Sequence, residues 1–189
     1  MTPKEFRLDS ILERVSLEDD GFNCLPEGAG YRLQLWGRLP SNWAGNLTLH
    51  AFAAGLQIVT GDALRTHRGI WASSFLLRPA NLRNPTHYDF LNMARHGPRM
   101  VPELPEPEVK IVLRPSNESS GDVFARVAGQ DSVGLIAHLL RRFSHDGLHP
   151  RRFMLRTDGH QIRDWFWLEP APSLATDLPQ RTAASARLA

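Results

Sequence analysis

At 189 residues, with 42% hydrophobic and 22% charged side chains, the chain carries enough apolar surface to bury a core, which excludes a disordered protein. A formal net charge of +2 argues against a surface built throughout for a polyanion or a membrane, and the sequence pI of 9.1 reflects only a small arginine excess. The lone Cys24 excludes an internal disulfide and fits a reducing compartment. The opening MTPKEFRLDSILERV has charges where a signal peptide needs an apolar run, and no stretch reaches membrane-spanning length. A cytoplasmic location is therefore expected.

In chain order, the first predicted element is a helix over residues 3–16. Thr2 suits its N-cap, Pro3 its first position and Glu5 a capping box, with Leu8, Ile11, Leu12 and Val15 on one stripe. A Gly- and Pro-containing break leads to a strand at 31–37, then a turn and a helix that stops at Gly55. LQIVTGDALRT and GIWASSFLLRP read as two strands joined around 67–69. NPTHYDFLNMARHG reads as a helix, followed by a Pro-rich connection and a strand at 109–113. That order is β-α-β-β-α-β. Beyond the linker RPSNESSG come a strand (DVFARVAG), a helix over 132–146 and the hairpin LHPRRFMLRT/QIRDWFWLE. The remaining tail is too rich in Pro and small residues to supply a further helix and strand.

The second half repeats the first. Sliding by 92 residues lays Gly147-Leu148 on Gly55-Leu56, Leu47 on Leu139, Ile70 on Ile162, Phe75 on Trp167 and Leu76 on Leu168, with no gap from helix through hairpin. The expected organisation is an N-terminal helix and connector (1–29), a first unit (30–114), a linker (115–121), a second unit (122–172) and a flexible tail (173–189).

A strand, the turn Asp131-Ser132-Val133-Gly134-Leu135, an amphipathic helix and then Gly147-Leu148 into a hairpin bearing Thr157 and Asp164 resemble the ACT domain. The first unit keeps the AAGLQIV exit but has Leu39 and Asn42 where the second has Asp131 and Gly134. Tandem copies resemble those of nitrogen-sensing uridylyltransferases and of glycine-cleavage-repressor-type regulators. The resemblance implies an α+β fold of two ferredoxin-like βαββαβ units with antiparallel sheets, the second lacking its last helix and strand, so that the N-terminal helix substitutes on its sheet. It also implies a non-catalytic, regulatory and allosteric function, in which an amino acid is bound and its state is passed to a partner protein or through a dimer. In the family the effector commonly sits between this turn and a neighbouring unit.

The physical basis is a strand-to-helix turn whose unpaired N–H groups face a carboxylate, with Gly134 allowing close approach and Asp131 accepting from an ammonium. Candidate ligand-binding residues are thus Asp131, Ser132, Val133, Gly134 and Leu135, with Ser41, Asn42 and Trp43 as the weaker counterpart. The plainer roles are helix capping for Asp131 and Ser132 and close packing for Gly134. Leu49 and Phe52 fall opposite the first helix's core stripe, beside Gly45, and predict a packed partner, either the N-terminal stripe or a second chain. Alternation puts Ile162, Phe166 and Leu168 on one sheet face and Trp165 and Trp167 on the other, with Trp71 and Phe75 assigned to that second, aromatic side. These are the candidate interface residues. Two alternatives remain: a ligand-free assembly module, and an RNA-recognition-like binder of single strands, which QIRDWFWL fits poorly for want of a glycine. No phosphate loop, nucleophile elbow, zinc-protease helix or supported cysteine nucleophile is present, and no metal or cofactor is expected; His145 and His149 straddle Gly147 with no acidic partner.

Overall fold

The computed structural model describes residues 19–80, 84–116 and 121–171. The helix expected over 3–16 and the tail from 173 lie outside them. The elements are β1 (Gly21–Glu27), β2 (Gly30–Gly37), α1 (Trp43–Ala53), β3 (Leu56–Arg65), β4 (Trp71–Pro79), a 3-10 turn (Pro85–His87), α2 (Phe90–Arg95), β5 (Val109–Pro115), β6 (Val123–Gln130), α3 (Leu135–His145), β7 (Leu148–Asp158) and β8 (Gln161–Pro170). All eight strands form a single antiparallel sheet in the order β1-β2-β4-β3-β7-β8-β6-β5.

This corrects the expectation of two ferredoxin-like βαββαβ units of the ACT kind. Val109–Pro115, expected to close the first unit, pairs with β6 at the far edge of the sheet. Residues 21–27, read as connector, form a hairpin with β2. Each half is therefore ββαββ, its outer strand arriving first rather than last. Pro26 disguises β1 in the sequence, yet it sits, like Pro115 at the end of β5, on a sheet edge, where a missing N–H costs little.

The halves are related by a pseudo-twofold axis at the β3–β7 seam. Thr60 pairs with Arg156, Asp62 with Met154 and Leu64 with Arg152. Adding 92 to the first-half partner of each pair generates the same set, and Asp62–Met154 maps onto itself. The ladder register shifts at Val59 in β3 and at Arg151 in β7, positions that are also 92 apart. Both halves even close their helix–hairpin corner with one bond, Ala80 N–H to Gly55 O and Ala171 N–H to Gly147 O, each 2.8 Å.

α1 and α3 lie on one face over a continuous aromatic core. Trp43 of α1 meets Trp71 at 5.2 Å between ring centroids, and Phe75 and Phe153 at 6.2 Å each. Phe75, Phe153 and Phe166 stack in succession at 6.1 and 5.9 Å, and Phe143 of α3 closes edge-on over Phe166 at 5.2 Å. Gly61, in mid-strand, makes room for this stack: a Cβ there would lie 2.3 Å from the Phe75 ring.

Trp71 and Phe75 are thus core residues, each 1% exposed, and not interface residues on the aromatic side. The gapless 92-residue alignment fails at the turn of the helix-following hairpin, between β3 and β4. Gly37 pairs with Trp71 and its counterpart Gly129 with Ile162, so Trp71 matches Ile162 and Phe75 matches Phe166, an offset of 91. The β3–β4 connection spans residues 66–70 while β7–β8 turns over 159–160, and one residue of slip reverses every face assignment.

α1 buries residues around most of its circumference because it is wedged between two helices. Asn46 donates to Ala94 O of α2 at 3.2 Å, while Leu49 and Phe52 face α3. The partner predicted beside Gly45 is accordingly α3 of the same chain. No helix among the described residues is long and apolar enough to cross a membrane.

Since Phe153 bridges the halves, Phe153→Ala is expected to destabilise the protein by about 3–5 kcal/mol. Urea melts followed separately by tryptophan fluorescence and far-ultraviolet circular dichroism should remain coincident, with one lowered midpoint.

Candidate functional site

The pseudo-twofold sets α1 antiparallel to α3 and produces two equivalent clefts, one at each end of the helix pair. In the first, the entry to α1 (Ser41, Asn42, Gly45) faces the last turns of α3 and the start of β7 (Leu140, Arg141, Ser144, His145, His149). In the second, the entry to α3 (Asp131, Ser132, Gly134) faces the end of α1 and the start of β3 (Thr48, Phe52, Gln57). The 92-residue relation carries Gly134 onto Asn42, Ala137 onto Gly45 and Phe52 onto Ser144.

Those exchanges decide which cleft is open. Phe52 lies over Gly134, its ring 3.0 Å from where a Cβ would project, and Leu104 closes from the other side at 3.3 Å. Gly134 holds φ at +87°, a conformation that side-chain-bearing residues rarely adopt. The remaining void is about 30 Å³, room for a water molecule. At the other end, Ser144 stands in for Phe52, and nothing lies within 4 Å of a Cβ built on Gly45. That cleft measures about 340 Å³, the lower end of the range for small-molecule sites.

The turn singled out by sequence is therefore the closed one. Asp131 accepts from Gln57 Nε2 at 3.0 Å, tying the α3 entry to β3, and burial raises its pKa despite that bond. Ser132 Oγ is buried without a partner among the described residues, Leu135 is core and Val133 is 48% exposed. The weaker counterpart is the open one. Ser41 and Asn42 line it; Trp43, wholly buried, points into the core. Asn42 makes no capping bond, its amide lying 3.5 Å from Asn46 Oδ1, and the first-turn N–H groups of Ala44 and Gly45 lack intrahelical acceptors.

Arg141, Ser144, His145 and His149 were missed as site residues. Their signal was the repeat itself, which lays Ser144 on Phe52. The structure brings the two histidines to one cleft wall although they share no helix face. The lining offers hydroxyl, amide, imidazole and guanidinium groups and no carboxylate, a donor-rich wall suited to an anion. Among the described residues no hydrogen bond joins a hydroxyl to an imidazole there, and no group of three His, Cys, Asp or Glu side chains could hold a metal.

A buried carboxyl lies on the helix-facing side of β8. Asp164, 1% exposed, takes the place of Ser73, whose hydroxyl donates to Leu35 O at 3.0 Å. Burial pushes the Asp164 carboxyl up to about 7; nearby Asp131 adds to the rise, while the Arg156 N–H bonded to Oδ1 at 3.0 Å opposes it. In comparisons with known proteins, no family model matches the chain, and neither does any curated protein or solved structure.

Because the fold raises this pKa, folded protein holds a proton that the unfolded chain releases above about pH 4. Stability is expected to fall as pH rises from about 4 to about 7, by at most roughly 4 kcal/mol, and to level off above that window. Asp164→Asn should remove most of this decline, read as urea midpoints at acidic and mildly alkaline pH.

Proposed function

We propose that this protein is a non-catalytic binder of a small carboxylate-bearing metabolite, an amino acid or its deaminated counterpart, and that it passes the bound state to a partner protein. The site is the open cleft between the entry to α1 and the end of α3. One observation carries the reading: of two clefts made equivalent by the duplication, one is plugged by Phe52 and the other left open by Ser144 and Gly45. A carboxylate there would meet the free N–H groups and positive end of α1, with Arg141 on the opposite wall.

Ligand-free assembly is the second reading, favoured by the half-exposed Leu25 and Leu113 on the outer strands. Pro26 and Pro115 on those same strands work against edge-to-edge pairing.

Calorimetric titration with the twenty amino acids and their 2-oxo acids is expected to give one site per chain. Ser144→Phe, which copies the plug into the open cleft, should weaken binding at least tenfold while the melting temperature holds. Phe52→Ser should leave the original site intact. Silence across the panel at millimolar concentration, or binding that survives Ser144→Phe, would hand the reading to assembly.

A further inference from the structure

We propose that the outer face of β5, β6 and β8, remote from the helix cleft, binds single-stranded nucleic acid. Lys110 and Arg114 on β5, Arg126 on β6 and Arg163 on β8 stand exposed on it, interleaved with the partly exposed Phe124 and Trp165. The face assignment follows from alternation. Phe166 and Val127 point into the core, so their neighbours Trp165 and Arg126 point away, and Phe124 meets Trp167 edge-on at 5.2 Å on the same side. Trp167 is itself spoken for, lying beneath the Arg152 guanidinium at 4.4 Å and only 8% exposed.

Among the described residues none of the four cations has a carboxylate partner, unlike Arg32, Arg151 and Arg156, which do. The duplication provides an internal control. The positions equivalent to Lys110, Arg114, Arg126 and Arg163 are Gly21, Leu25, Gln34 and Ala72, none of them charged. The positive patch therefore belongs to the second half alone and is not required by the sheet that both halves share.

Its geometry suits a chain of phosphates. Arg114, Arg126 and Arg163 lie on a diagonal, each one strand over and two residues along from the last, a step of about 8 Å at the backbone. Flexible guanidinium groups on that spacing can follow successive phosphates, while the Trp165 indole and the Phe124 ring offer flat surfaces for bases. Aromatic rings beside the charges favour a nucleic acid over a lipid headgroup.

The test is fluorescence anisotropy of labelled oligo-dT and oligo-rU with the full chain. Affinity is expected to fall roughly 20- to 50-fold between about 50 and 200 mM salt, as three or four phosphate contacts require. Arg126→Ala and Arg163→Ala should each flatten the log–log salt slope by about 0.7. Trp165→Ala should weaken binding about fivefold or more, Trp165→Phe should restore it, and Gln34→Ala in the first half should change nothing. The proposal is overturned by no binding at low salt, or by a slope unchanged in both arginine variants. It is likewise overturned if heparin or phosphatidylserine vesicles bind more tightly than the oligonucleotides and are indifferent to Trp165→Ala.

Discussion

The pairing of β3 with β7 is the constraint on which the rest of the architecture depends. Each ββαββ half ends its sheet on a strand whose free edge would expose a row of unpaired N–H and C=O groups. Joining those two edges removes both liabilities and creates an eight-stranded sheet broad enough to carry α1 and α3 side by side. The seam is reinforced on both faces. On the core side the Phe75–Phe153–Phe166 stack crosses it, and on the outer side Arg156 reaches over to Gly61 O at 3.1 Å and Asp62 Oδ1 at 2.7 Å. The ion pair is partly solvated and adds about 1 kcal/mol at most; the buried rings dominate.

Duplication also makes departures from symmetry informative. Positions that share a backbone environment and differ in residue type have been released from the demands of the fold. Phe52 against Ser144 decides which inter-helix cleft is filled, and Asp164 against Ser73 places a carboxyl where a hydroxyl suffices. Gln34 against Arg126 charges one outer face and leaves the other neutral. The two halves share a scaffold and divide between them the surfaces that could meet other molecules.

Much of this was legible in the residues, and the failures have physical causes. The helix–hairpin segments of both halves, the 92-residue relation up to the hairpin turn and the shared, buried face of Ile162, Phe166 and Leu168 follow from periodicity alone. Of the outer strands, β5 was legible as a strand but its pairing with β6 was not, and β1 was not read at all, because Pro26 looks like a breaker unless the strand is known to be an edge. A connection longer by one residue in the first hairpin put Trp71 and Phe75 on the wrong face, since strand periodicity tolerates no slip. The preferred ligand turn was chosen for Gly134 and Asp131, which do shape a tight corner. Whether a corner is open depends on what the opposite helix delivers, and Phe52 lies 82 residues away from Gly134. Local motif reading has no access to that contact. The aligned repeat did, through the exchange of Phe52 for Ser144.

Native-state hydrogen exchange at the seam tests the single-sheet account most directly. The account predicts that the hydrogen-bonded amides among residues 61–64 and 153–155 exchange only through global unfolding, with a free energy equal to that from denaturant melts. Exchange of those amides by a cheaper opening, while β4 and β8 stay protected within their own halves, would show two units that merely touch and would contradict it.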